Sequence, residues 1–92
     1  MKRIERILFQ IGDEIEALEK AEQLASDELM YHQHLNDDTQ RDAAVSGNPI
    51  DRSDARETEG DVARFERHLA DLTAKRAKLE AKRQKLVDRL GS

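Results

Sequence analysis

The sequence predicts an all-α fold: an antiparallel two-helix coiled-coil hairpin that pairs with a second copy into a four-helix bundle. Three observations lead there. Apolar residues recur at alternating spacings of four and three in two long runs. The single proline stands between those runs, in "SGNP". Charged residues make up 39% of the 92 and aromatics only 3%, too few large apolar side chains for a thick globular core. Such a composition suits either disorder or a coiled coil, and sustained periodicity selects the coil.

The first run, helix 1 over about 3–35, places Ile4, Leu8, Ile11, Ile15, Leu18, Ala25 and Leu29 on one seam, with Glu22 and His32 as polar occupants. The second, helix 2 over about 53–90, continues the rule through Ala55, Thr58, Val62, Phe65, Leu69, Leu72, Leu79, Leu86 and Leu90, with Arg76 and Arg83 as exceptions. Its start is open. Ser53 is a candidate N-cap, but Gly60 weakens the first turns, and a start near Thr58 or Asp61 is the alternative.

Folding the chain on itself with Ile4 opposite Leu90 brings every seam position against a seam position, down to His32 opposite Val62. A shift of seven residues gives a second match. Charge supports the antiparallel arrangement. Residues 1–35 hold four basic and eight acidic side chains, whereas residues 55–92 hold ten and seven. Glu14 with Lys82, and Glu28 with His68, fall at flanking positions. Such exposed pairs contribute about 0.2–1 kcal/mol each, so they select a partner more than they stabilise it.

Apolar residues off the seam point to self-association. Ile7, Leu24, Tyr31 and Leu35 widen the apolar surface of helix 1 beyond what one partner helix covers, and they form the expected dimer or partner face. Glu22, Arg76 and Arg83 are expected to set the register, the arginine stems covering apolar surface while their heads reach water or Glu22.

The connection, about 36–52, is read as a mobile acidic loop, longer than the two to eight residues that usually join packed helices. Asp51 and Asp54 are its candidate contact residues. "DRSDA", Asp51 to Ala55, superficially resembles the tips of bacterial RNA polymerase secondary-channel factors, which present acidic residues at the end of a long antiparallel hairpin. The likeness is architectural and spans five residues. The chain has no cysteine to match the zinc finger of one branch and no second globular segment to match the other. It implies a transcription-machinery regulator as the alternative function.

Other chemistry finds little footing. Glu28 and His32 share a helix face, but a metal site would need His68 or a second chain, so neither metal nor cofactor is expected. The basic stretch "KRAKLEAKRQKLVDR" lacks aromatics for base stacking and should lie against acidic helix 1, which disfavours nucleic acid. No phosphate loop or nucleophile constellation is present, so no enzyme is expected. No apolar run approaches a membrane span and no signal peptide is evident, which makes the cytoplasm the default. The expected function is therefore a non-enzymatic protein–protein interaction module acting through its helix faces, with a second copy and a further protein as partners.

Overall fold

A computed structural model describes residues 2–91. Two long helices pack against each other as an antiparallel hairpin: α1, Arg3–Ser46, and α2, Pro49–Leu90. No strand occurs among the described residues.

The expected loop at 36–52 does not exist. Helix α1 runs eleven residues past Leu35, to Ser46, and α2 starts at Pro49, ahead of both Ser53 and Gly60. Only Gly47 and Asn48 connect the helices. Local bonds explain the continuation. Gln40 Nε2 donates to Asn36 Oδ1 at 3.0 Å, and Arg41 pairs with Asp38 at 2.8 Å, each one helical turn apart. Such neighbours support a helix, and Gln40, Arg41, Ala43 and Ala44 are strong helix formers.

The reversal is built from caps. Gly47 adopts φ of 64°, the left-handed region that a residue with a Cβ enters at a cost, and its N–H donates to Ala43 O at 2.9 Å. This ends α1 as an αL motif. Asn48 then caps α2: its Oδ1 accepts the Asp51 N–H at 2.8 Å. Pro49 occupies the first helical position, where no donor is required. The Asp51 carboxylate accepts from Asn48 Nδ2 at 3.1 Å and from the Ser46 hydroxyl, and its charge sits favourably at the α2 N-terminus.

The chain divides into two compact units, each formed from one segment of each helix. The first comprises residues 1–23 and 70–92. Its core is Ile11, Ile15 and Leu86, with Ile4, Ile7, Leu8 and Leu79 packed against it, and Leu72 is also buried.

The second unit comprises residues 24–69. Its buried residues are both alanines, Ala25 and Ala55. Between them His32 stacks on Phe65 with ring centroids 4.5 Å apart and planes 18° apart. Closer to the turn the seam becomes polar. Thr58 Oγ1 lies 3.0 Å from Asn36 Oδ1 and 2.6 Å from Thr39 Oγ1, while Gln40 Nε2 donates to Ala55 O at 2.9 Å. Continuing the Ile4–Leu90 pairing rule places Asn36 opposite Thr58, so this bond fits that register. The heptad seam thus persists through Asn36, Thr39 and Ala43, written in hydrogen bonds and small side chains instead of aliphatic ones.

Candidate interaction surface

The outer faces of the helices carry the least compensated groups. On α1, Leu24 and Tyr31 are each 61% exposed and Leu35 is also exposed. They stand at spacings of seven and four, which on an α-helix is one flank. Three of the four residues expected to form a partner face therefore lie open. Ile7 differs: it is half-buried against the Ile11–Ile15–Leu86 core, because it flanks the seam where both helices supply large aliphatic residues.

Sequence reasoning missed Phe9, Val45 and Ile50. Phe9 is exposed beside Glu5 and Leu8, which together with it line a shallow depression. Val45 and Ile50 are 89% and 73% exposed on either side of the turn. Val45 belongs to the last turn of α1 and Ile50 to the first turn of α2, where neither side chain is covered. A signal was available in the 4-3-4 spacing of His32, Asn36, Thr39 and Ala43, which extends the seam past Leu35.

Within the first unit a surface groove of about 540 Å³ runs between the helices, lined by Glu14, Ala17, Leu18, Lys75, Lys78 and Leu79. Its floor is apolar and its rim is charged. The expected Glu14–Lys82 pair does not form, and Glu14 borders this groove instead. The expected Glu28–His68 pair is absent as well. Glu14, Lys82 and His68 are exposed, where an ion pair returns little against the cost of ordering its side chains.

Of the three residues expected to set the register, two meet. Arg76 Nε donates to Glu22 Oε1, its Nη2 to Glu22 Oε2 at 3.2 Å, and its Nη1 to Glu80 at 2.9 Å. Thr73 adds a hydrogen bond to Glu22 at 2.9 Å. The Arg76 guanidinium, with help from Thr73, holds the Glu22 carboxyl below its usual range against the opposing effect of desolvation, and the two carboxylates raise Arg76 further. Arg83 is exposed and stands apart from this cluster; Ile11, Ile15 and Leu86 fill the seam around it.

The two candidate tip residues divide. Asp51 is half-buried and committed to the cap, whereas Asp54 is exposed. Among the described residues no group of three or more His, Asp or Glu side chains is placed to hold a metal ion, and no helix is long and apolar enough to cross a membrane. His32, read as a possible ligand beside Glu28, instead has Phe65 stacked on its ring and Tyr31 against its edge at 5.4 Å. Compared with known protein families, curated proteins and solved structures, the chain matches none.

Proposed function

We propose that this chain is a non-enzymatic helical interaction module that acts in the cytoplasm through the outer faces of its hairpin, pairing first with a second copy of itself and then with another protein. The observation that carries this reading is the exposed stripe of Leu24, Tyr31 and Leu35 on one flank of α1. Large apolar side chains grouped at helical spacing lose little by docking on another helix and gain the burial of their surface, about 25 cal/mol per Å² of apolar area.

The reading is tested by light scattering on Leu24→Lys and Tyr31→Glu beside the parent chain. The expected outcome is a dimer that both changes convert to monomer, with helical circular dichroism unchanged. A parent chain that stays monomeric across the accessible concentration range sinks self-association. Retention of the dimer by both variants removes this stripe as its contact.

A second reading uses the turn, as a regulator that presents its tip to a larger machine. Val45 and Ile50 favour it, being the most exposed large apolar side chains among the described residues. The acidic part of that reading rests on Asp54, since Asp51 is engaged in the cap. Val45→Ser with Ile50→Ser should then abolish partner capture without changing mass or helicity.

A further inference from the structure

The two units carry opposite charge. Residues 24–69 hold eleven acidic and five basic side chains, whereas residues 1–23 with 70–92 hold nine and eleven. The first of these sets bears the exposed Leu24–Tyr31–Leu35 stripe, with Glu28 between Leu24 and Tyr31. The second bears the groove, lined by Lys75, Lys78 and Glu14 together with Leu18, Leu79 and the small Ala17.

From this pairing of features we infer that the groove of the basic unit is the docking site for the Leu24–Tyr31–Leu35 stripe of a second copy, so that two hairpins associate head to tail, acidic unit against basic unit. The inference rests on the self-association proposed above and specifies its geometry.

Charge is what decides the arrangement. Tip-to-tip pairing would set two units of net charge −6 against each other. Head-to-tail pairing sets −6 against +2. Shape agrees. Ala17, small and exposed, leaves room over the groove that Tyr31 of the other copy fills, and Leu18 and Leu79 supply apolar contact for that ring. The aliphatic stems of Lys75 and Lys78 cover the docked residues while their ammonium groups meet Glu28.

The chain has no cysteine, which makes single-site labelling direct. One batch carries Arg52→Cys with a donor dye, a second Lys85→Cys with an acceptor, and a third Arg52→Cys with an acceptor; both positions are exposed. Head-to-tail docking gives strong energy transfer between Arg52-labelled and Lys85-labelled copies and little between two Arg52-labelled copies. The reverse pattern, with the dimer mass retained, overturns this docking and leaves self-association standing. A monomer mass for the unlabelled chain overturns both. Charge reversal is the second arm. Lys75→Glu with Lys78→Glu should weaken dimerisation on the order of tenfold at low salt. Adding Glu28→Lys to that variant should restore part of the loss, whereas no rescue would overturn the pairing of these groups.

Discussion

The Thr58 hydroxyl lies 3.0 Å from Asn36 Oδ1, joining α2 to α1 at a seam position where a coiled coil ordinarily places a hydrophobe. Thr39 and Gln40 close the network around it, and no buried side-chain polar atom among the described residues lacks a partner. A polar layer of this kind stabilises little by itself but penalises other registers, because a slipped pairing would leave its donors and acceptors unpaired. Asn36→Ala should lower stability by about 1 kcal/mol in chemical denaturation. Replacing the layer with Asn36→Leu and Thr58→Leu should raise the melting temperature while broadening the distribution of oligomers seen by native mass spectrometry. A sharp single species would count against a register role.

The Glu22–Arg76 pair makes a pH prediction. Its depressed carboxyl binds its proton less tightly in the folded chain than in the unfolded one. The stabilisation is therefore complete above the ordinary carboxylate range and is lost as pH falls through that range and below it. Thermal melts should show the parent chain losing stability on acidification. In Glu22→Gln that part of the slope should disappear, the variant already lacking the contribution at neutral pH. Identical slopes would remove Glu22 from the account.

The turn is sensitive to backbone chemistry. Gly47→Ala forces a Cβ into the left-handed region, though nothing lies within 4 Å of the site, so the cost is conformational: about 1–2 kcal/mol. Asn48→Ala removes the α2 cap and should cost about 1 kcal/mol. Both are read from urea midpoints. Gly47→Asn, which tolerates the same region better, should lose less than Gly47→Ala.

Gly60 offers the opposite sign. It lies inside α2, exposed, with no positive φ and open space around the position a methyl group would take. Gly60→Ala should stabilise the chain by about 0.5–1 kcal/mol, seen as a higher urea midpoint.

Core truncation calibrates the rest. Ile15 is 3% exposed, and Ile15→Ala should cost about 2–5 kcal/mol. Val45→Ala, at 89% exposure, should leave stability within about 0.5 kcal/mol. Equal effects would mean that the burial pattern of the first unit is not what stabilises it.

Much of this arrangement was legible in the residues alone. The 4-3 spacing from Ile4 to Leu29 and from Val62 to Leu90 determined two helices and their buried edges, because a helix repeats its face at that period whatever it packs against. Gly47, Asn48 and Pro49 determined where the chain turns, because their backbone preferences are local. The polar occupants Glu22 and Arg76 could be picked out as exceptions to an apolar rule.

That the seam continues past His32 was decided by tertiary contact. Asn36, Thr39 and Thr58 look like loop residues when read singly, and they become seam residues only when the opposite helix supplies a hydrogen-bonding partner. The same contacts decided that Glu22, not water, receives Arg76, that Arg83 stays outside, and that Ile7 turns towards the core while Leu24 and Tyr31 do not. Periodicity records which face a residue occupies. Whether that face is covered depends on the side chains standing opposite, which a single helix does not contain.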